Sequence, residues 1–374
     1  MRIGLSCTTI EPLLSDGKID GIGTYTKNLY DEISRAHSSL VPVSFPNQKN
    51  SVAQLPNSQL FPFSYTRETI ASLINPYRAL DSHLSRIDLF HATDHMIPKL
   101  KKIPLVATLH DALMFKFPEW FLNTRFPRLK KWARASTLRW PTHFITVSHS
   151  MVKELVEYCG IPENKITAIY NGISPFWFET VAFEEKQRVL QKFSLTKKFI
   201  LFTSTLHPKK NLPRLIRAYL KLPKDMRDEF QLIVVGRQGW GTEESMQTIQ
   251  QLESSGNGRW LDYVSLEELR ALFQSASVYA HPSLHEGFGL TLLQAFASGT
   301  PVLTSNITAM PEIANDAGLL VDPYSEDAIH DGLQKVLLDS TLREKLIAKG
   351  SARVKEFSWE KCARETLNVY SNIE

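Results

Sequence analysis

The sequence contains little cysteine and no long hydrophobic run. Its cysteines, Cys7, Cys159 and Cys362, are far apart, and none belongs to a CxxC pair. This excludes a disulfide framework and a zinc site built on paired cysteines, and it predicts a protein of the reducing cytoplasm. No apolar run approaches the roughly 20 residues that span a membrane, and the strand-like segment after Met1 does not resemble a secretory signal.

A strong excess of charge of one sign is also missing. The chain carries 43 Lys and Arg against 39 Asp and Glu, a net charge of +4. Residues 1–178 hold 20 basic and 14 acidic side chains, and the remainder holds 23 and 25. This modest asymmetry gives the first half a mild attraction for anionic partners, but it is too small to predict nucleic-acid binding.

Short apolar runs alternate with amphipathic, helix-like stretches along most of the 374 residues. Such alternation predicts parallel sheets, and the pattern starts afresh near residue 199. We expect an α/β protein with two Rossmann-like domains, residues 1–178 and 179–357, and a final helix at 358–374 that packs back on the first domain. The predicted strands are Arg2–Cys7, Val41–Phe45, Asp88–His91, Leu105–His110, Phe144–Ser148, Ile166–Tyr170, Phe199–Thr203, Gln231–Gly236, Trp260–Val264, Val278–Pro282 and Val302–Thr304.

The most informative segment is 281–305, HPSLHEGFGLTLLQAFASGTPVLTS. An apolar strand ends at His281, a glycine-bearing turn carries Glu286, and a helix begins near Leu290. This order directs free backbone N–H groups and a helix N-terminus at one point, which suits an anion such as a diphosphate. A carboxylate there repels phosphate but accepts hydrogen bonds from sugar hydroxyls. The segment therefore predicts a nucleotide-sugar site. An ordinary strand–turn–helix would explain Gly287 and Gly289 but not Glu286.

Five segments together resemble one enzyme family. The stretch 285–305 is similar to the signature of the retaining, GT-B-fold glycosyltransferases called glycosyl transferases group one, or family four. The resemblance covers nearly the whole chain, and it implies parallel sheets of two domains that face each other across a cleft, an acceptor on the first domain and a nucleotide sugar on the second. The other matching segments are DGIGTYTKNL (20–29), TLHDALMFKFPEWF (108–121), ITVSHSMVKEL with ITAIYNGI (145–155, 166–173) and STLHPKKNLPRLIRAYLKL (204–222).

The resemblance assigns roles residue by residue. Its catalytic positions are Glu286, Lys210 and His110. Its donor-binding positions are Lys209, Lys210, Gly21, Gly23, Arg237, Val264, Glu286, Gly287, Phe288, Gly289, Leu290 and Gln294. Two of these roles have a plain alternative. A loop alone explains the first two glycines, and His110, at the end of an apolar strand, is equally well explained as a core histidine.

Lys209–Lys210–Asn211 opens a helix after a strand, where cations oppose the helix dipole. A solvated basic turn is the plain alternative. The unfavourable placement favours a role in neutralising the departing nucleoside diphosphate. The family pattern has arginine at the position of Lys209, so this chain keeps the charge there but loses the bidentate fork. Because the sequence has no Asp-x-Asp pair to hold a metal, we expect no divalent metal requirement.

One position departs from the family pattern. Where the family has a second glutamate, eight residues after the first, this chain has Gln294. An amide still bonds ribose hydroxyls but loses the charge assistance that raises a hydrogen bond from about 1 to about 1.5–3 kcal/mol. We therefore expect weaker donor binding rather than an inactive enzyme, although a change of donor or a damaged site would also fit.

The segment Lys116–Trp140 is basic and aromatic, with seven Lys or Arg, one acidic residue, and Trp120, Phe121, Phe126, Trp132 and Trp140. Such a surface suits lipid headgroups or a polyprenyl-diphosphate acceptor. Part of it must be core, and a purely structural role is the simpler explanation. Peripheral contact with the cytoplasmic face of the inner membrane is the sharper hypothesis.

The interpretation that unites these features is a cytoplasmic, retaining, metal-independent hexosyltransferase. It would move mannose from GDP-mannose to a hydroxyl of a glycan or polyprenyl-diphosphate-linked acceptor in bacterial surface-polysaccharide assembly, with no other cofactor and no nucleic acid. Mannose is indicated by the likeness of EGFGL (286–290) and HATDHMIP (91–98) to mannosyltransferases. The alternatives are another donor such as a UDP-hexose, a nucleotide-sugar isomerase or hydrolase of the same fold, and a non-catalytic glycan-binding subunit.

Overall fold

A computed structural model describes residues 1–17, 19–47, 49–75, 77–121 and 126–373. They form two compact units, of which the second is Ile173–Phe357 and the first is Met1–Gly172 with the stretch from Ser358 onward. The break after Gly172 precedes the expected one after residue 178, because Trp177 is buried against Phe273 of the second unit at a ring separation of 5.8 Å. The described residues hold no helix long and apolar enough to cross a membrane.

The first unit contains a parallel sheet in the order β3-β2-β1-β4-β5-β6-β7. Its central strands are buried on both faces, which explains their continuous apolar runs. The sequence does not predict β3, because this strand is only two residues long and has no apolar run. The strands are β1 Ile3–Ser6, β2 Leu40–Ser44, β3 Gln59–Leu60, β4 Leu89–Ala92, β5 Leu105–Leu109, β6 His143–Thr146 and β7 Ile166–Ala168.

Helices join these strands as crossover connections. Two of them have side-chain caps, from Asp20 at the start of α2 and from Ser148 at the start of α6. The helices are α1 Glu11–Asp16, α2 Gly21–Ala36, α3 Tyr65–Ile74, α4 Leu113–Lys116, α5 Pro127–Thr137 and α6 His149–Cys159.

The second unit contains a parallel sheet in the order β10-β9-β8-β11-β12-β13. Only β13 was not predicted, because its half-buried GLLV run is short and begins with glycine. The strands are β8 Lys198–Thr203, β9 Phe230–Val235, β10 Gly258–Leu261, β11 Val278–His281, β12 Val302–Ser305 and β13 Gly318–Val321. The helices are α7 Phe183–Lys192, α8 Leu212–Leu220, α9 Lys224–Glu229, α10 Glu243–Ser254, α11 Leu266–Ser275, α12 Leu290–Ala297, α13 Met310–Ala314, α14 Glu326–Leu338 and α15 Ser340–Arg353.

The last helix, α16 (Trp359–Ser371), packs against α2 in the first unit. Its Tyr370 hydroxyl lies 2.5 Å from Nδ1 of buried His91, and the Trp359 ring contacts Tyr25 edge-on. The chain can cross itself here because residue 172 is glycine. A Cβ at Gly172 would lie 2.1 Å from the backbone nitrogen of Trp359.

The two parallel sheets confirm the α/β class and the doubled parallel-sheet architecture that the sequence predicts.

Candidate functional site

The carboxyl end of β11 and the start of α12 form the centre of the candidate site. The strand ends at buried His281, and α12 begins at Leu290. Gly289 makes the transition with φ of 99°, a left-handed conformation that costs glycine little. By their position at the start of α12, the backbone N–H groups of Leu290 and Thr291 have no carbonyl partner within the helix, whereas that of Leu292 donates to the Gly289 carbonyl at 3.0 Å. The helix dipole also makes this end favourable for an anion.

Glu286 is the hub of the loop between these two elements. Its Oε1 atom accepts hydrogen bonds from Lys210 Nζ at 2.6 Å, His281 Nε2 at 2.8 Å and Ser283 Oγ at 2.9 Å. Burial raises the pKa of Glu286, but the Lys210 ammonium and the His281 hydrogen bond outweigh it and hold the pKa well below 4.5. The residue is therefore a buried, ionised carboxylate near neutral pH.

The two oxygens of Glu286 have different surroundings. Oε1 has three donors, whereas no donor among the described residues bonds Oε2. Nor is Oε2 among the buried side-chain atoms that lack a partner. The backbone N–H of Glu286 donates to Thr308 Oγ1 at 3.3 Å, so the loop is also fixed to the segment after β12. This arrangement leaves one carboxylate oxygen to accept hydrogen bonds from a ligand.

The basic turn after β8 lies beside this loop. Lys209 and Lys210 lie in a 3-10 turn, Pro208–Lys210, and α8 begins only at Leu212, so the lysines precede the helix rather than open it. The Leu284 N–H donates to the Lys209 carbonyl at 2.8 Å. This bond joins the two loops, so the lysines and the carboxylate occupy the same edge of the sheet.

Asn211 fastens the same turn to two other loops. It adopts a left-handed conformation with φ of 59°, and it is buried. Its Nδ2 atom donates to the carbonyls of Pro282 at 2.9 Å and Pro323 at 2.7 Å. A single amide therefore connects the ends of β8, β11 and β13.

Arg237 and Val264 follow the next two strands, β9 and β10, at the carboxyl edge of the same sheet. The Arg237 guanidinium lies 4.7 Å from the centre of the Tyr263 ring. Val264 is buried, and the following Ser265 caps α11 in a capping box with Glu268. The four strand ends β8, β9, β10 and β11 thus place Lys210, Arg237, Val264 and Glu286 along one edge, which is where open parallel sheets bind ligands.

Phe288 lies just before the start of α12, and Gln294 lies within this helix. Gln294 is half-buried and shares a helix face with the first-turn residues Leu290 and Thr291. Its side chain makes no hydrogen bond to any described residue, so its amide can bond a ligand. Phe288 is buried with its ring edge-on to Phe357, which anchors the turn that also contains Gly287.

The remaining predicted residues belong to the first unit. Gly21 and Gly23 lie in the first turn of α2 rather than in a loop, and the Gly23 N–H donates to the Asp20 carboxylate at 2.7 Å. A Cβ at Gly23 would lie 2.8 Å from the Thr9 carbonyl, so packing alone requires glycine there. The helix cap thus uses the Gly23 N–H, and a contact of this glycine with the donor phosphate stays a prediction.

His110 follows β5 and lines a cavity of about 60 Å³ together with His95, Asp111 and Arg134. Its Nε2 atom lies 2.9 Å from the Thr93 carbonyl. This bond places the proton on Nε2, because a carbonyl only accepts. The ring is thereby fixed in orientation at the carboxyl edge of the first sheet.

Three residues that contact Glu286 were not predicted as site residues, namely His281, Ser283 and Thr308. The position of the first two could have indicated them. His281 ends a buried strand, and Ser283 lies two residues after it, before the turn that carries Glu286. Thr308 contacts Glu286 across 22 residues, and nothing local indicates it. Within the described ranges, no group of three or more His, Cys, Asp or Glu side chains could hold a metal ion.

Residues 183–353 match the family described as Glycosyl transferases group 1, and residues 19–175 match Glycosyltransferase Family 4. The O-antigen chain mannosyltransferase B of Escherichia coli is 34% identical over 284 residues, which cover 75% of this chain and 74% of that protein. The O-antigen chain mannosyltransferase RfbU of Salmonella typhimurium is 27% identical over 245 residues, covering 65% and 63%.

Solved structures share the architecture at lower identity. HepE of Anabaena in complex with UDP-glucose has a TM-score of 0.75 and 17% identity over 100% of both chains. Such a likeness shows the fold alone, which is the two-domain GT-B fold. The two family matches together cover most of the sequence, and the enzyme from Escherichia coli exceeds 30% identity over most of its length. The chain therefore belongs to the group 1 glycosyl transferases, family 4, and has their GT-B fold.

Proposed function

We propose that this glycosyltransferase transfers mannose from GDP-mannose to a hydroxyl of a glycan or lipid-linked oligosaccharide, with retention of anomeric configuration and without a divalent metal. The observation that carries the proposal is the Lys210–Glu286 pair beside the N-terminus of α12. It combines a cation for a diphosphate with a carboxylate oxygen that no described side chain uses. One loop cluster can therefore bind both the diphosphate and the sugar of a nucleotide sugar.

The proposed chemistry uses these groups in defined roles. The acceptor oxygen forms a bond to the anomeric carbon on the face from which the diphosphate leaves. The bond between that carbon and the diphosphate oxygen breaks, and the acceptor proton passes to the departing oxygen. Lys209, Lys210 and the α12 N–H groups stabilise the charge that develops there, and Glu286 orients the sugar through its Oε2 atom.

The names of the relatives support mannose as the sugar of the donor. Both relatives described above carry the name O-antigen chain mannosyltransferase. Half-exposed Arg237 and exposed Tyr263, beside buried Val264, offer a surface on which the base of the donor would lie. Gln294, on the open face of α12, would bond the ribose.

The acceptor side of the proposal concerns α5. Two apolar side chains on this helix are largely exposed, Leu129 at 58% and Trp132 at 56%, and Arg128, Lys130 and Lys131 flank them. Apolar groups surrounded by cations suit the interface of an anionic bilayer. We propose that this surface contacts the cytoplasmic face of the inner membrane, where a polyprenyl-diphosphate-linked acceptor would reside. The nearby segment 122–125, which contains Arg125, lies outside the described residues.

A donor assay tests the proposal. Purified protein is incubated with radiolabelled GDP-mannose, UDP-glucose or UDP-galactose, with and without membranes that contain lipid-linked oligosaccharides. We expect label to move into the lipid fraction from GDP-mannose only. Transfer from a UDP-sugar would show that the donor is a UDP-sugar rather than GDP-mannose. Release of sugar without an acceptor would show that the protein is a hydrolase rather than a transferase. The absence of turnover with every donor would favour a non-catalytic subunit.

Two further measurements test the finer claims. Nuclear magnetic resonance of the first product formed should show the anomeric configuration of the donor, and inversion would refute the proposed same-face attack. Turnover should persist in excess chelator. Loss of activity that added magnesium or manganese restores would overturn the metal-independent assignment.

A further inference from the structure

Two neutral donors on Glu286 have no part in the proposed reaction as described above. We propose that His281 and Ser283 are positioning residues, which hold the Glu286 carboxylate with Oε2 turned toward the donor sugar after Lys210 has engaged the diphosphate. This inference rests on the proposed function, because it assigns Glu286 to the sugar and Lys210 to the leaving group.

The His281 ring is fixed by its neighbours. It is fully buried and lies between Phe202 and Tyr279, with centroid separations of 5.7 Å and 5.6 Å and interplanar angles of 28° and 15°. The Nε2 atom carries the proton, since its partner at 2.8 Å is an ionised carboxylate that only accepts. The aromatic sandwich therefore determines where this hydrogen bond points.

The same ring stays a neutral donor. Its Nδ1 atom is buried and has no hydrogen-bond partner among the described residues, so a proton there would be an unmatched buried donor. Burial also lowers the pKa of His281. An incoming phosphate does not attract a neutral imidazole as strongly as it attracts an ammonium group. The imidazole remains on Glu286 when a phosphate draws the Lys210 ammonium away, and this is the step at which the carboxylate would otherwise lose its orientation.

Ser283 supplies the second neutral donor from a rigid backbone. Its hydroxyl donates to Oε1 at 2.9 Å, and its N–H bonds the His281 carbonyl at 2.9 Å. The next residue, Leu284, is bonded to the carbonyl of Lys209. Without Lys210, therefore, one donor at the end of β11 and one in the loop after it still hold one oxygen of Glu286 and leave the other for the sugar.

Paired variants separate the hydrogen bond from packing. His281→Phe keeps an aromatic ring between Phe202 and Tyr279 but removes the donor. His281→Gln loses the ring but returns an N–H near Nε2. Because misplacement of a reacting group by about 1 Å can cost on the order of a hundredfold, we expect kcat for mannose transfer to fall by roughly that factor in His281→Phe, with the donor KM changed little. His281→Gln should recover much of the loss. The opposite order, with the glutamine variant worse, would show a purely packing role and overturn the inference.

Ser283→Ala should lower kcat in the same way, and the double variant with His281→Phe should lower it further. Ser305→Ala is the matched control, because this serine is also fully buried at a strand end and its hydroxyl has no partner among the described residues. Equal kinetics for the two serine variants would contradict the role of Ser283.

A crystal structure of the double variant with GDP gives a readout that needs no turnover. We expect the Glu286 carboxylate to be rotated away from its wild-type direction, with the fold unchanged. An unmoved carboxylate would overturn the inference even if the double variant had lost activity. A wild-type protein that turns over no nucleotide sugar would refute the proposed function alone, and the carboxylate orientation would still decide the positioning role.

Discussion

At the scale of single residues, Lys210 and Glu286 determine each other's chemistry. They lie 76 residues apart in sequence and 2.6 Å apart in space, with side chains 17% and 9% exposed. A buried ion pair of this kind contributes little net stability, because desolvation of both charges offsets their attraction. Its placement at a loop cluster beside a helix N-terminus fits the proposed role in donor binding and catalysis better than a role in folding.

Removal of the cation is the first residue-scale prediction. Lys210→Met should lower kcat about a hundredfold or more, because it deletes a charge that stabilises the departing diphosphate. Steady-state kinetics with GDP-mannose measures the effect. Lys224→Met is the matched control, since that ammonium pairs with exposed Asp228. Similar kinetics for both variants would exclude Lys210 from the leaving-group site.

Acid should weaken the fold through Glu286. Its folded-state pKa is lowered, so its ionised form contributes stability above the ordinary value of 4.5. That contribution is lost as pH falls from 4.5 through the lower folded-state pKa. The difference in free energy of unfolding between the wild type and Glu286→Gln should therefore shrink as pH falls. Urea denaturation from about pH 7 to pH 3 measures it, and a difference independent of pH would contradict the ionised assignment.

Gln294→Glu should restore a charged hydrogen bond to the ribose. The gain from charge assistance is about 1 kcal/mol, so the donor KM should fall roughly fivefold with kcat nearly unchanged. Kinetics over a range of donor concentrations measures the change. Gln251→Glu is the matched control, because it changes an exposed glutamine of α10. Gln274→Glu is unsuitable, because the Gln274 amide makes hydrogen bonds to backbone groups of Glu179 and Val181. An unchanged KM for Gln294→Glu would count against a ribose contact.

At the scale of elements, the start of α8 depends on one amide. Asn211 bonds two buried carbonyls from different loops and occupies a left-handed conformation that alanine disfavours. The loops after β8, β11 and β13 therefore form one unit around the lysine turn. The hydrogen bonds of this side chain fix the positions of the loops that form the site.

Asn211→Ala should lower the free energy of unfolding by about 3 kcal/mol, because two buried carbonyls lose donors and the backbone is strained. Chemical denaturation measures the loss. Asn57→Ala is the control, since Asn57 is exposed and also has a positive φ, 58°, and it should cost about 1 kcal/mol. Equal losses in the two variants would mean that the hydrogen bonds of Asn211 contribute nothing.

At the scale of the whole molecule, the basic first unit should bind anionic membranes. The double variant Leu129→Ser, Trp132→Ser should lower the affinity for vesicles of phosphatidylcholine with phosphatidylglycerol about tenfold or more, because two apolar groups are lost. Co-sedimentation measures binding, which added salt should weaken. Leu338→Ser with Tyr324→Ser is the control, since both are exposed on the second unit. No binding of the wild type to these vesicles would refute the membrane contact.

The sequence by itself determined the α/β class, the doubling of parallel sheets and most strands. These follow from continuous buried apolar runs such as FILFT (199–203) and LIVV (232–235), and the pattern is local. It also singled out Glu286, Lys210 and Gln294. The strand β3 escaped because pairing with β2, and not its composition, makes residues 59 and 60 a strand.

Only the tertiary structure decided how the site residues combine. The bonds from His281, Ser283 and Lys210 to one oxygen of Glu286, and the contact with Thr308, join segments that sequence periodicity does not relate. The same holds for α16, whose place on α2 depends on a close crossing at Gly172. Periodicity reports which face of an element is buried, whereas the direction of a side chain in a loop depends on its partners from elsewhere in the chain. Those partners are brought together only when the carboxyl ends of the parallel strands meet at one edge.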